Sequence, residues 1–378
     1  MEEFILKTKI FMGENSIKNL EKIKMNKVMI ICDPFLEKNG MTHLIKEILS
    51  KMNIEFETFS EVVPDPTIEV ITLCLAKLAK FKPDTIIAFG GGSSMDTAKG
   101  VKELYKKMSE NDVKLIAVPT TSGTGSEVTS FAVVSDPKTQ SKYPLIDDEM
   151  IPEYAIFDAN FTKTVPNFIT ADTGMDVLTH AIEAYVASNA NDFTDAFAEK
   201  AIKLVWENLI LCYEDPNNMN ARTHMHSASC LAGIAFNQAG LGICHSLAHA
   251  LGAVFHIPHG RANSVLLPEV IAYNAGLEVE AENIALDRYV KIANILGIAC
   301  GTKKATVFKL VRDIKLLNKK FGIPACIKDL KIDTEEFNVN IEVMATKALE
   351  DRCTPTNPVV PTLEDLKGIY QKLTKGIY

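Results

Sequence analysis

The chain has 378 residues, of which 47% are hydrophobic and only 7% aromatic, and its formal net charge is -8. A chain of this length is expected to form two domains or one large one, with a mostly aliphatic core. The acidic balance and the lack of a basic run argue against nucleic acid or an anionic membrane surface as the main partner.

The N-terminus and the cysteines together favour a cytoplasmic location. The opening residues MEEFILK show neither the basic start nor the apolar run of a signal peptide. No stretch approaches the roughly 18 apolar residues of a membrane span. The eight cysteines occur singly, without a CxxC pair, which predicts reduced and mostly buried thiols. Cys244 adjoins a histidine, but no second cysteine accompanies it, and packing is favoured over chemistry.

The first 165 residues alternate short apolar runs with helical patterns. Apolar runs predict strands at 28–32, 85–89 and 114–118, residues 55–59 are predicted to be extended, and the patterns between these segments predict helices at 42–52, 68–80 and 94–107. Continuous apolar strands that alternate with helices indicate a buried parallel sheet. From about residue 169 onward the patterns are almost all helical. The prediction is therefore an α/β nucleotide-binding domain at 1–165 and an all-α metal-binding domain at 166–378.

Two turns in the first domain could bind phosphate. Residues 90–96, GGGSSMD, follow a predicted strand and open a helix. Glycines allow close backbone approach, and free N–H groups at a helix start attract an anion. A plain tight turn would explain this segment equally well. Residues 90–96 also lack the GxGxxG fingerprint of dinucleotide-binding proteins. Residues 119–127, PTTSGTGSE, follow the next strand, and a helix N-cap is their structural alternative. Two such turns together favour a nucleotide site.

Asp33 follows the predicted strand at 28–32 and precedes a proline. A carboxylate in this place can accept hydrogen bonds from an adenosine ribose, and it would repel the extra phosphate of NADP. A helix cap or a turn would explain an aspartate here equally well. Both interpretations stay open from the residues alone.

The strongest signal is a group of histidines in the helical half. Asp176 and His180 are four residues apart, and so are His245 and His249, which places each pair on one helix face. His259 follows the expected end of the second helix. A single core histidine is common, but this clustering predicts a metal site. One carboxylate with neutral imidazoles suits Fe²⁺ or Zn²⁺, and the residues do not choose between them.

These motifs together resemble the iron-containing alcohol dehydrogenases over essentially the whole chain. Four segments carry the resemblance: GGGSSMDTAK at 90–99, PTTSGTGSEVT at 119–129, GMDVLTHAIEAYV at 174–186 and GICHSLAHALGAVFHIPHGRAN at 242–263. The last two are highly specific. The sequence of the segment at 242–263 is most similar to the branch of bifunctional aldehyde–alcohol dehydrogenases and microcompartment 1-propanol dehydrogenases.

The resemblance implies a dehydroquinate-synthase-like architecture, with cofactor and metal meeting in the cleft between the domains. His249 would lie near the substrate without binding the metal, which makes it the candidate catalytic proton relay. The implied metal ligands are Asp176, His180, His245 and His259. The implied NAD(H)-binding residues are Asp33, Gly91, Gly92, Ser93, Asp96, Thr120, Thr121, Thr124 and Lys142. Asp33, in place of a small residue, fits a member that prefers NAD.

The expected function is NADH-dependent, reversible reduction of small aldehydes to primary alcohols by metal-assisted hydride transfer, with Fe²⁺ or Zn²⁺. We expect a homodimer or larger homo-oligomer, in the cytoplasm or inside a bacterial microcompartment. One alternative is a polyol dehydrogenase of the glycerol or 1,3-propanediol type. Another is a lyase of the same fold acting on a sugar phosphate. Such a substrate phosphate would need a cluster of Arg and Lys side chains, but Arg261 alone supplies a positive charge near the metal motifs. A nucleotide-binding or metal-storage protein without turnover is a third.

Two further positions have no role assigned by these motifs. His256 lies among the clustered histidines without a clear role. Val359 stands in the segment CTPTNPV, where many relatives carry arginine.

Overall fold

The computed structural model describes residues 4–109, 112–136, 141–278 and 284–375. The chain divides into two compact units. The N-terminal unit comprises Met1–Val165 and Pro216–Gly233, and the helical unit comprises Pro166–Asp215 and Ile234–Tyr378. The N-terminal unit contains a parallel sheet with helices, whereas no strand occurs in the described residues beyond 157. The predicted fold class, α/β followed by all-α, is confirmed.

The N-terminal unit is built on a parallel sheet. Its strands are β1 (Lys9–Met12), β2 (Lys27–Ile31), β3 (Glu55–Phe59), β4 (Thr85–Gly90), β5 (Lys114–Pro119), β6 (Phe131–Asp136), β7 (Ser141–Ile146) and β8 (Tyr154–Phe157). Six of them form the parallel sheet in the order β1-β8-β5-β4-β2-β3, and β6 and β7 form a separate antiparallel pair. The helices of this part are α1 (Pro34–Lys38), α2 (His43–Lys51), α3 (Ile68–Phe81) and α4 (Gly92–Ser109).

Both faces of this sheet are covered. Ile87 and Phe89 of β4 belong to a buried core on one face, whereas Ile86 and Ala88 belong to a second core on the other. A strand that is buried on both faces needs apolar side chains at every position, not only at alternate ones. The continuous apolar runs of β2, β4 and β5 have this origin, and so these strands were predictable.

The chain reverses its direction across the sheet beside β2. It passes from β2 to β3 at the sheet edge and then returns to β4 on the opposite side of β2, so that Ile30 is paired with both Thr58 and Ile87. Ligands of open parallel sheets bind outside the carboxyl ends of the strands at such a switch point. The residues after β2 and β4 therefore occupy the position expected for a nucleotide.

The central helix of the helical unit is α5 (Asn167–Val186), which is buried along almost its entire length from Thr170 onward. The first residues of α9 (His259–Asn274) approach α5 very closely: a Cβ added at Gly260 would lie 2.2 Å from the carbonyl oxygen of Asp172. Only glycine permits this contact. The remaining helices after α5 are α6 (Asp192–Glu214), α7 (Met219–Ala239), α8 (Ile243–Phe255), α9 (His259–Asn274), α10 (Ile284–Ile295), α11 (Lys303–Lys320), α12 (Thr334–Glu350) and α13 (Leu363–Lys372).

Residues 216–233, which include most of α7, group with the N-terminal unit, whereas a single division at residue 165 places them in the helical domain. Close packing of small residues accounts for this difference, because a Cβ added at Gly233 would lie 2.8 Å from the carbonyl oxygen of Gly125. Gly125 itself has a φ of +62°. The buried His226 adds a ring contact to Phe157 at 5.2 Å. Contacts of this kind leave no periodic signal in the sequence.

Among the described residues, no single helix has both the length and the apolar composition of a membrane span. Met219–Ala239 and Ile243–Phe255 meet that criterion only as a pair, and they are bent by 105° at the break between them.

Candidate metal and nucleotide sites

The turn after β4 and the turn after β5 are in contact. A Cβ added at Gly91 would lie 3.1 Å from Thr121 Oγ1, and one added at Gly92 would lie 2.8 Å from Thr124 Cγ2. Side chains larger than hydrogen would push the two turns apart. The structure therefore brings together two segments that the sequence predicted separately as phosphate-binding elements.

The start of α4 adds backbone donors to this place. The helix begins at Gly92, with only Gly91 between it and the end of β4, and Ser93 is its second residue. The first N–H groups of a helix have no acceptor within the helix, and the helix dipole favours an anion beside them. The neighbouring turn is held to the end of β4 by Thr120, whose N–H donates to the carbonyl of Gly90 at 2.9 Å. The arrangement is suited to a diphosphate group.

Asp33 is the N-cap residue of α1. Its Oδ1 accepts a hydrogen bond from the backbone N–H of Leu36 at 3.0 Å. The structural interpretation of this aspartate is thus confirmed. It does not remove the functional one, because a cap bond at Oδ1 leaves the negative charge at the end of β2, beside the switch point.

Asp96 takes part in a network that ties α4 to the second turn. Its carboxylate accepts from Ser126 Oγ and from the backbone N–H of Val133, each at 3.2 Å. The fully buried Lys99 joins the same network by donating to Ser126 Oγ at 2.8 Å and to Thr129 Oγ1 at 3.2 Å. Lys99 was not predicted from the sequence, although its spacing from Asp96 along the helix was a usable signal. The side chain of Lys142, on β7, lies outside the described residues.

Four side chains of the helical unit converge on one point. Each of them offers one ligand atom, and these atoms all lie within 4.8 Å of one another. Asp176 Oδ1 is 3.8 Å from His245 Nε2 and 3.6 Å from His259 Nε2. Asp176 and His180 lie on α5, His245 lies on α8, and His259 is the first residue of α9.

The protonation state of the two buried imidazoles in this group suits a divalent metal ion. Within the described part of the chain, the buried atoms His180 Nδ1 and His245 Nε2 have no hydrogen-bond partner. Burial lowers the pKa of His180 to about 3, and it lowers the pKa of His245 well below the usual value. Both imidazoles are therefore neutral near neutral pH, which is the form that binds metal. A carboxylate with three imidazoles is a ligand set for Fe²⁺ or Zn²⁺.

Two polar side chains that the sequence analysis missed hold members of this group. Glu183 Oε2 lies 2.5 Å from His245 Nδ1, and Asn263 Nδ2 donates to Asp176 Oδ1 at 2.7 Å. Glu183 is three residues beyond His180 on α5, so the helical face of Asp176 and His180 was a signal for it. Burial raises the pKa of Glu183 to about 7 and also raises that of Asp176.

His249 lies beside the four-residue group. Its ring stacks on that of His259, with centroids 5.3 Å apart and an interplanar angle of 17°. Its Nδ1 is 2.9 Å from Asp351 Oδ2. Burial disfavours the Asp351 carboxylate, but the hydrogen bond and the charge of His249 outweigh this effect and hold the pKa of Asp351 well below its usual range. Asp351 was also missed, because nothing in its local sequence links it to a helix about a hundred residues earlier.

The remaining candidates have structural positions. His256 ends α8 in the left-handed conformation with a φ of 53°, is exposed, and lies outside the four-residue group. Val359 is half-buried, and its carbonyl accepts from Asn357 Nδ2 at 2.6 Å. Burial raises the pKa of Cys244 well above the usual value, so its thiol stays protonated, in agreement with a packing role.

Both halves of the chain are similar in sequence to proteins of known function. Residues 7–159 match a family model described as iron-containing alcohol dehydrogenase, and residues 170–374 match the C-terminal model of the Fe-containing alcohol dehydrogenase family. The chain is 40% identical to the 1-propanol dehydrogenase PduQ of Salmonella typhimurium, over 99% of this chain and 100% of that protein. It is 39% identical to an NADPH-dependent butanol dehydrogenase of Clostridium saccharobutylicum, over 100% and 99% of the two chains. A crystal structure of a 1,3-propanediol oxidoreductase superposes with a TM-score of 0.90 at 31% identity, covering 99% of this chain and 100% of that one.

Proposed function

Because the chain belongs to the iron-containing alcohol dehydrogenase family, we propose that it reduces small aldehydes reversibly to primary alcohols, using a nicotinamide dinucleotide and one divalent metal ion. The observation that carries the proposal is the convergence of Asp176, His180, His245 and His259 within 4.8 Å. The touching turns after β4 and β5 support the dinucleotide part.

The four converging side chains would hold the metal, for which we propose Fe²⁺, with Zn²⁺ as a replacement of similar ligand preference. The metal would supply a Lewis acid that polarises a carbonyl oxygen. Asn263 fixes the Asp176 carboxylate through its 2.7 Å hydrogen bond, and Glu183 fixes the His245 ring. These contacts orient the side chains of Asp176 and His245 for metal binding in the metal-free protein.

The two turns of the N-terminal unit would hold the dinucleotide, whose nicotinamide supplies or accepts the hydride. Gly91 and Gly92 allow the backbone to approach a phosphate, and the N–H groups at the start of α4 would donate to it. Thr120, Thr121 and Thr124 add hydroxyl donors from the second turn. Asp96 and Lys99 keep that turn in place through Ser126, which gives Asp96 a positioning role beside the proposed cofactor site.

His249 is the proposed proton relay. The Asp351 carboxylate accepts from Nδ1 of the ring, so that Nε2 is the atom left to exchange a proton with the substrate oxygen. The stacking on His259 places this ring directly beside a proposed ligand. The side chain is 37% exposed, which gives the proton a path to solvent.

We propose that Asp33 disfavours NADPH through its charge. Replacing Asp33 by serine keeps an N-cap oxygen for α1 but removes the carboxylate. The ratio of kcat/KM for NADH over that for NADPH should then fall by about tenfold or more, which corresponds to roughly 1.4 kcal/mol. Steady-state kinetics with both cofactors and one aldehyde measure this ratio.

A matched control is Asp333→Ser. Asp333 caps α12 in the helical unit by accepting from two backbone N–H groups, so this variant loses the same charge from the same kind of cap. The control should leave the cofactor ratio unchanged. An unchanged ratio in the Asp33 variant would remove Asp33 from the cofactor site.

The polyol alternative has one supporting observation, which is the similarity to a 1,3-propanediol oxidoreductase. The test is steady-state NADH oxidation with propanal, butanal and 3-hydroxypropanal, together with NAD⁺ reduction by glycerol. We expect kcat/KM to be highest for an unsubstituted aldehyde. Preference for 3-hydroxypropanal or glycerol would favour the polyol reading, and no turnover of any of them would contradict an alcohol dehydrogenase. The oligomeric state and the cytoplasmic or microcompartment location stay predictions.

A further inference from the structure

Glu183 has contacts with α8 that go beyond one hydrogen bond. Its carboxylate reaches from α5 to the start of α8, where Oε1 accepts from the backbone N–H of Cys244 at 2.7 Å. Gly242 approaches so closely that an added Cβ would lie 2.8 Å from Oε1. The side chain is 2% exposed. The carboxylate thus occupies the anion position at the N-terminus of α8.

The other oxygen of the same carboxylate determines which nitrogen of His245 carries the proton. Glu183 Oε2 lies 2.5 Å from His245 Nδ1, and a carboxylate oxygen at this distance favours the tautomer with the ring proton on Nδ1. The lone pair is then on Nε2, the atom 3.8 Å from Asp176 Oδ1 and without a partner in the described residues. A carboxylate that holds the distal N–H of a ligating imidazole fixes the tautomer and increases the basicity of the ligand.

We infer that Glu183 is a positioning residue for metal binding: it presents His245 Nε2 to the metal and increases the affinity of the site. This inference rests on the proposed metal site and concerns a residue outside the four ligands. Glu183 also acts as a cap for α8, and a cap alone would affect folding without a specific effect on metal affinity. The two roles are therefore separable by experiment.

The decisive variant is Glu183→Gln. An amide has one acceptor oxygen, so it cannot serve both the helix N–H groups and His245 Nδ1–H. If the amide nitrogen faces the ring, the imidazole proton moves to Nε2 and blocks the ligand position. We expect Zn²⁺ to bind about 10- to 100-fold more weakly than to the unmodified chain, measured by competition with a chromophoric chelator.

The control variant is Glu199→Gln. Glu199 accepts from Tyr185 Oη at 2.9 Å in the same unit, yet it does not contact a proposed ligand. It should bind Zn²⁺ like the unmodified chain. Equal affinity in a folded Glu183→Gln protein would overturn the inference while leaving the metal site intact. Failure of the unmodified chain to bind Zn²⁺ at all would overturn the metal site itself, and the inference with it.

A measurement on the unmodified chain covers the case in which Glu183→Gln does not fold. Long-range ¹⁵N–¹H spectra of the histidine rings, with the His245 signals identified by their loss in His245→Gln, report which nitrogen carries the proton. With Zn²⁺ bound, we expect a protonated Nδ1 and a metal-bound Nε2. Metal on Nδ1 would contradict the role of Glu183.

Discussion

Replacing His259 by alanine is expected to remove the metal and most of the catalytic activity together. Lewis-acid assistance contributes several kcal/mol to such a reaction, so kcat/KM should fall by about 10³-fold or more. The His259 side chain is 40% exposed, so its loss should disturb packing far less than the loss of the fully buried His245. Metal content by elemental analysis and steady-state NADH oxidation measure the two effects on the same sample.

The control for this prediction is His256→Asn. His256 is three residues from His259 but outside the ligand group, and its φ of 53° is one that asparagine tolerates. This variant should keep both metal and activity. Stoichiometric, tight metal in the His259→Ala protein would remove His259 from the ligand set.

Replacing His249 by glutamine is expected to separate metal binding from catalysis. Glutamine can still donate to Asp351 but cannot shuttle a proton, and loss of a general acid–base group costs about 10²- to 10⁴-fold in kcat. Metal content should stay unchanged, because His249 lies beside the ligand group without belonging to it. Single-turnover and steady-state rates, with metal analysis of the same protein, test both statements.

The exposed His43→Gln on α2 serves as the control and should behave like the unmodified chain. Loss of metal from the His249 variant would make His249 a ligand and contradict the relay role. A normal kcat with normal metal would assign proton transfer to another group.

Local patterns explain what was predictable from the sequence. Strands β2 to β5 were predictable, three of them because a strand buried on both faces is continuously apolar. The spacing of Asp176 and His180 on one helix fixes their common face before any tertiary contact forms. The short strands β1 and β8 were missed, since each has only four residues.

Tertiary contacts explain what was not predictable. The approach of α9 to α5 depends on Gly260, and it brings His259 to Asp176. Glu183 and Asp351 acquire their roles only when α8 packs against segments far away in sequence, 61 and 102 residues from their partners. The role of Asp33 was not predictable for another reason. A helix N-cap and a ribose contact both favour an aspartate at the end of this strand, so the residue type does not distinguish the two roles.

We propose that aldehyde reduction by this chain, linked to a nicotinamide dinucleotide, depends on a metal ion held by its helical unit. The most direct test is anaerobic NADH oxidation with propanal by the chelator-treated protein, before and after separate addition of Fe²⁺ and Zn²⁺. We expect negligible turnover without metal and restored turnover with Fe²⁺. Full activity in the metal-free protein would contradict the role of the site, and no activity with either metal, using NADH or NADPH, would contradict the reaction class.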